Sequence, residues 1–220
     1  MDGTTKLRTR RTAPKAVRRK QLIDATIDAI AELGVSRTTM AEITGRAGLS
    51  MGIVNLHFEN KDNLLKSTLV HLSEELRDHW TEFQTAQGLG PAEKVWGIIS
   101  ANFHADVATR NKMRAWFAFF GEARYRAFYR EMVADFDNER AEALETSLAQ
   151  LKQDGAQIDF APAALTQSIE SMADGLWLSM ILYPDWVSVD DARQRLWELL
   201  SNHFPARFPP GAPASMASIR

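Results

Sequence analysis

The 220-residue sequence contains no cysteine. Disulfides and thiolate-held metals are therefore excluded, and a reducing compartment is compatible. No apolar run approaches the ~20 residues needed to cross a bilayer. The basic N-terminus lacks the apolar stretch that would make it a secretion signal. The expectation is a cytoplasmic protein with no membrane partner. Sustained two-residue alternation of β-branched side chains is also missing, which argues against sheet. So is the equipment of most enzymes. The sequence has no phosphate-binding glycine loop and no Gly-x-Ser-x-Gly elbow. His57, His71, His79, His104 and His203 show no HExxH spacing, and their closest pairs do not form a ligand set. No catalytic residue, metal ligand or cofactor is expected, and an enzyme has little to stand on.

What is present is an ordinary apolar content, 45%, enough for a full core in one or two domains. The formal net charge of −2 hides an asymmetry. Residues 1–66 carry twelve Lys/Arg against seven Asp/Glu, while the remainder carries fourteen against twenty-one. Eight basic residues fall within the first 20: Lys6, Arg8, Arg10, Arg11, Lys15, Arg18, Arg19 and Lys20. A basic end on an acidic body fits a polyanion partner, and it equally fits a solvated, disordered tail.

Helical periodicity runs through nearly the whole chain, so the fold class is all-α. Residues 1–14 read as a disordered basic arm ending at Pro14. A first helix, about Ala16 to Leu33, has its apolar face at Leu22, Ile23, Thr26, Ile27, Ile30 and Leu33, and Gly34 stops it. A short helix follows from Met40 to Ala47, capped by Thr38 or Thr39 with Glu42 in its first turn. Ala47-Gly48-Leu49 is a tight turn. Ser50 caps a third helix, Met51 to about His57, and Asn60 caps a fourth that runs from Lys61 to about Phe83. After the break Gln87-Gly88-Leu89-Gly90-Pro91, helices are expected at about Ala92–Val107, Lys112–Glu122, Tyr125–Lys152, Pro162–Leu182 and Ser188–Phe204. The tail from Pro205 holds four prolines and reads as disordered. The divisions are thus an arm (1–14), a head (15–62) joined by the helix 61–83, a helical body (84–204) and a tail (205–220).

The two short helices around Ala47-Gly48-Leu49, behind a longer support helix, have helix-turn-helix form. In such a pair the second helix enters the major groove, its N-terminal residues nearest the base edges. Ser50 can then reach a phosphate, Gly52 lets the backbone approach closely, and Met51 and Asn55 project outward. Asn can pair with adenine through two hydrogen bonds. Ile53, Val54 and Phe58 anchor the helix, and Lys61 stands within reach of the DNA backbone. Thr38, Thr39 and His57 complete the expected contact set. The alternative is a purely structural helical hairpin. It is weakened by the adjacent basic arm and by the polarity of Met51 to His57.

Thr39-Met-Ala-Glu-Ile-Thr-Gly-Arg-Ala-Gly-Leu-Ser-Met-Gly-Ile-Val-Asn-Leu-His-Phe58, followed by Glu-Asn-Lys-Asp-Asn-Leu-Leu65, resembles the N-terminal domain of the TetR family of transcriptional regulators. The pattern Ala-Gly-x-Ser-x-Gly and then Phe-x-x-Lys-x-x-Leu carries the resemblance. Many members have an aromatic residue where Asn55 stands and Tyr where His57 stands, so the operator sequence does not carry over. Met113-Arg-Ala-Trp-Phe-Ala-Phe-Phe120 and Met172-Ala-Asp-Gly-Leu-Trp-Leu178 are similar to segments of BetI-type repressors. That resemblance implies a dimeric, ligand-responsive repressor of choline and glycine betaine genes. Its implied partners are a double-stranded operator, a second copy of the chain and a small-molecule effector.

The middle of the chain is rich in aromatics, most of which must simply pack. A quaternary ammonium needs aromatic faces and often a carboxylate. Trp116, Phe120 and Trp177, with Asp174 one turn from Trp177, are the candidate set; Asp174 reads equally well as a surface residue. Two apolar faces stand out near the C-terminus. One is Leu165, Ser168, Ile169, Met172, Ala173, Leu176 and Met180; the other is Ala192, Leu196, Leu199, Leu200 and Phe204. They fit a two-fold four-helix contact or internal core. The competing functions are a regulator answering an unrelated small molecule and a ligand-blind architectural DNA binder.

Overall fold

The computed structural model describes residues 14–122, 127–128, 131, 133–153 and 160–211. Among these residues there are nine α-helices and no strand. They are α1 (Lys15–Leu33), α2 (Met40–Ala47), α3 (Met51–Phe58), α4 (Lys61–Thr85), α5 (Pro91–Ala101), α6 (Arg110–Gly121), α7 (Ala134–Gln153), α8 (Pro162–Leu182) and α9 (Val189–His203).

α1 is the hub of the N-terminal part and packs on α2, α4 and α6. The face expected from spacing is the one buried: Leu22, Ile23, Thr26, Ile27 and Ile30, joined by Ala25 and Ala29. Thr26 is fully buried and donates its hydroxyl to the Leu22 carbonyl at 2.7 Å, so the polar group costs little there. α4 runs from this part into the body, where it packs on α5 and α7. At Gly97 a Cβ would overlap the Phe83 ring, so this glycine sets how closely α4 and α5 approach. A single apolar core runs from Leu22 to Phe208 without a break between head and body.

Three expectations change. α5 ends at Ala101 rather than near Val107. Asn102 turns its side chain back onto the Ile99 carbonyl at 3.1 Å, and Phe103 and Val107 enter the core from a loop. The apolar spacing continued past the helix because the loop also feeds the core. The tail is ordered as far as residue 211. Phe208 is fully buried against Trp197, whose indole nitrogen donates to the Pro209 carbonyl at 2.9 Å. Two aromatic anchors outweigh the proline content. Finally, Leu165, Ile169, Ala173, Leu176, Met180, Ala192, Leu196, Leu200 and Phe204 are buried within the chain itself. Most of the expected dimer seam is internal core, where α8 meets α6, α7 and α9, while Met172 and Leu199 are half-buried and Ser168 is exposed. The expected helix start at Tyr125 and the expected disorder of residues 1–13 and 212–220 lie outside the described residues.

Candidate functional site

The head is built by two caps and a turn. Thr39 is exposed, extended, and accepts the Glu42 N–H at 3.2 Å, which starts α2. Gly48 takes the left-handed conformation, φ 62°, and Leu49 N–H returns to the Thr44 carbonyl at 3.0 Å. This reversal sets α3 across α2. Val54 and Phe58 are buried and Ile53 is partly so, which fixes one side of α3. The other side presents Ser50, Met51, Gly52, Asn55 and Leu56. Leu56 is 68% exposed. It is a recognition candidate that the sequence reading passed over, although Val54 and Phe58 one turn apart already place Leu56 opposite them. An exposed aliphatic on this face suits a thymine methyl.

Ser50 departs from its expected role. It is extended, but its hydroxyl makes no capping bond, so the oxygen is left for an outside partner. Gly52 is informative in the same way. A Cβ there would meet only the Ser50 Oγ, at 3.9 Å. The chain's own packing thus does not require glycine at a helical position where it costs about 1 kcal/mol against alanine. The space beside Gly52 is open to whatever approaches from outside.

Two expected contacts turn inward. Thr38 is fully buried, with its hydroxyl and its N–H both given to the Gly34 carbonyl, at 2.8 and 3.2 Å. It holds the α1–α2 turn and has no donor left for a phosphate. Lys61 is half-buried, with its ammonium 3.4 Å from the Val35 carbonyl. His57 is half-buried with an unpartnered Nδ1. Its pKa is lowered by burial first, then by Lys15, Arg18 and Arg19. Those three cations place the basic start of α1 beside the end of α3. Arg46, by contrast, is spoken for by Glu32 at 2.7 Å and Glu42 at 2.8 Å, whose hydrogen bonds raise its pKa. Glu59, at φ 65° and ψ −47°, forms a γ-turn in which Asn60 N–H reaches the Phe58 carbonyl at 2.7 Å. That turn swings the chain from α3 into α4.

The second candidate site lies in the body. Trp116 and Phe120, a turn apart on α6, have ring centroids 5.7 Å apart. Trp116 also lines a small cavity with Trp80, Phe136, Asp137 and Arg140. The cavity admits no more than a water molecule. Trp177 reaches this region by another route. Its indole nitrogen donates to the Asn102 carbonyl at 2.9 Å, and the Asn102 side chain accepts from Arg140. Arg140 also pairs with Glu170. It is 8% exposed, and its Nε has no hydrogen-bond partner.

Asp174, like Phe120 and Trp177, does not line the cavity; it is exposed by area but within electrostatic reach of Arg140 and Asp137. Its pKa is raised by burial, which Arg140 opposes and Asp137 reinforces. Glu170 is raised likewise, burial first, with Arg140 opposing and Asp137 and Asp174 adding to the shift. Three carboxylates thus surround one guanidinium. Sequence reading found Asp174 but missed Arg140, Asp137, Glu170 and Trp80. The available signal was charge at one-turn spacing, Asp137 with Arg140 and Glu170 with Asp174, on helices that bury an apolar face.

α6 connects the two sites. Trp116 faces the cavity, while Asn111 at the start of α6 donates to Asp28 of α1 at 2.8 Å. Past its end, Glu122 accepts from Ser36 in the α1–α2 turn. Lys112 ties the same helix to Glu75 of α4 at 2.5 Å.

A profile described as "Bacterial regulatory proteins, tetR family" matches residues 22–68. Another, described as "BetI-type transcriptional repressor, C-terminal", matches residues 91–205. The chain belongs to the TetR family, with a BetI-type C-terminal domain. This BetI-type regulator is 32% identical to the HTH-type transcriptional regulator BetI of Paraburkholderia phymatum over 186 residues, which cover 78% of the chain and 85% of that protein. It is 28% identical to BetI of Escherichia coli over 193 residues, 87% of the chain and 96% of that protein. In fold it is similar to a transcriptional regulator from Pseudomonas aeruginosa, at TM-score 0.73 and 23% identity over 89% of the chain and 94% of that structure. It is also similar to one from Saccharomonospora viridis solved in complex with choline, at TM-score 0.72 and 18% identity over 84% and 96%. The family assigns the BetI-type regulator to transcriptional control through DNA, not to enzymes. No helix among its described residues is long and apolar enough to cross a membrane.

Proposed function

We propose that this BetI-type regulator is a homodimeric repressor in the cytoplasm that releases its operator when a quaternary ammonium compound enters the cavity beside Trp116. The observation that carries the reading is the dual attachment of α6, which lines the cavity with Trp116 and is tied to α1 at Asp28 and, just past its end, to the α1–α2 turn at Ser36.

A trimethylammonium group cannot occupy space for one water. Binding therefore requires α6 and α7 to part, so the ligand favours an open arrangement over the closed one. That difference in affinity is what a release mechanism needs; a ligand indifferent to the two states shifts nothing. Movement of α6 is passed to α1, which supports the reading helix, and α4 offers a second route through Lys112–Glu75.

The cavity's chemistry supports the ligand class. Trp80, Trp116 and Phe136 supply aromatic surface, each face worth about 0.5–2 kcal/mol to a cation. Asp137 lines the cavity, and Glu170 and Asp174 lie close enough to Arg140 to feel its charge, so a cation entering there would meet three carboxylates and one guanidinium. The unpartnered Nε of Arg140 suits an oxygen acceptor on the same ligand. Choline and glycine betaine carry both features, and the choline complex of the Saccharomonospora viridis relative lends support.

On the DNA side, Ser50, Met51, Gly52, Asn55 and Leu56 would face the groove, with Thr39 and the cations at the start of α1 on the phosphates. A dimer would supply two heads for two operator half-sites about 34–36 Å apart. The outward apolar surface for it is Leu178, Leu182, Tyr183 and Trp186 at the end of α8, with Trp186 80% exposed. Footprinting of the purified protein on genomic fragments tests the assignment. Protected two-fold sites next to genes that handle quaternary ammonium compounds are expected. Absence of any preference over random DNA would end it.

A further inference from the structure

The sequence separates His79 and His104 by more than a helix. The fold brings them together. His79 lies in the second half of α4 and His104 in the loop after α5, with ring centroids 3.8 Å apart and planes 30° apart. A ring nitrogen of each and a carboxylate oxygen of Asp106 all lie within 4.8 Å of one another.

We infer that His79, His104 and Asp106 form a binding site for a borderline divalent metal ion of the Zn²⁺, Co²⁺ or Ni²⁺ class. Two imidazoles and one carboxylate suit these ions, whereas Mg²⁺ and Ca²⁺ prefer all-oxygen sets. Bonds of about 2.0–2.1 Å to a tetrahedral ion put neighbouring ligand atoms about 3.3 Å apart. The triad closes to that spacing by rotating the two rings, both only half-buried.

The loop that carries two of the ligands is already held. The Asp106 N–H donates to His104 Nδ1 at 3.2 Å, a bond that an ion taking that nitrogen replaces, and Lys112 donates to the Asp106 carbonyl at 2.5 Å. Among the described residues no hydrogen bond engages the His79 ring, which leaves it open to an ion. Glu82, one turn beyond His79 on α4, acts on His104 electrostatically in the direction that favours a cation, and Arg193 acts against it. The site does not depend on the effector reading. A bound ion would pin α4 to the loop whose Asn102 holds Trp177 and Arg140.

The test uses full-length, tag-free protein stripped of metal and titrated with CoCl₂ by visible absorption and with ZnCl₂ by calorimetry. Saturable uptake of one ion per chain is expected, with a rise in melting temperature. His79→Ala and His104→Ala should each weaken it by about tenfold or more, while His71→Ala and His203→Ala should leave it unchanged. Anomalous diffraction from a zinc-soaked wild-type crystal locates the ion without any variant, and a peak between His79 and His104 is expected. No saturable uptake, a peak elsewhere, or equal affinity in His79→Ala and His104→Ala would overturn the inference.

Discussion

Gly52→Ala separates what the chain needs for itself from what it needs for DNA. Gly52 is the second residue of α3, and a Cβ added there meets nothing but the Ser50 Oγ at 3.9 Å, an ordinary contact. No clash opposes the gain in helix propensity. The free protein should therefore become more stable, by about 0.5–1 kcal/mol, through the entropy that glycine loses on folding. The same methyl stands on the exposed face between Met51 and Asn55, which the proposed reading turns toward the groove. A tenfold loss of operator affinity, about 1.4 kcal/mol, is expected. Urea unfolding of the free protein and fluorescence anisotropy with an operator duplex measure the two effects. Their signs must be opposite. A stability gain with unchanged operator affinity would show that the start of α3 does not enter the groove. A stability loss would contradict the open space around Gly52.

The two exposed hydroxyls of the head should behave differently. Thr39→Ala removes a real cap and should cost about 1 kcal/mol in unfolding experiments. Ser50→Ala should leave stability within about 0.3 kcal/mol of wild type while weakening operator binding, because its hydroxyl caps nothing. Equal stability losses would refute the distinction. Leu182→Glu, on the outward face of α8, should yield folded monomers by light scattering at micromolar concentration; dimers that persist would remove that face from the interface.

The carboxylates around Arg140 set a pH dependence of known sign. Glu170 and Asp174 have raised pKa values in the fold. Their contribution to stability is full below the ordinary carboxylate range and declines as pH rises through the raised values. A cationic ligand needs both ionised, so its affinity should fall as pH is lowered, starting above the ~4.3 of a free carboxylate. Calorimetric titration of choline between neutral and mildly acid pH checks this, and a flat profile would argue against a carboxylate-lined site.

The helices with one buried face were legible because their spacing repeats at the helical period. α1, α2 and α8 stand where Leu22 to Ile30, the Thr39 cap and Pro162 put them. Side-chain direction was less legible. Thr38 and Thr39 are chemically the same, and only the turn at Gly34 decides that one is buried and the other caps. Leu196 and Leu182 are likewise equivalent by type, yet one is core and the other exposed. One chain's sequence does not say whether an apolar face meets its own body or a second copy. The cavity was half visible. Aromatics at turn spacing suggested Trp116 and Phe120, but Arg140, Glu170 and Asp137 acquire meaning only when α7 and α8 bring them together. The His79–His104 pair, like Trp177 with Asn102, depends wholly on long-range packing.

The central claim is that a cation in the body loosens the head. Its most direct measurement is operator affinity of the wild-type protein, by anisotropy, in millimolar choline chloride and in potassium chloride of equal ionic strength. Matched salt matters because phosphate contacts are themselves salt-sensitive. The account predicts at least a tenfold weaker operator complex in choline, equivalent to about 1.4 kcal/mol of coupling. Equal affinity in the two salts would contradict it.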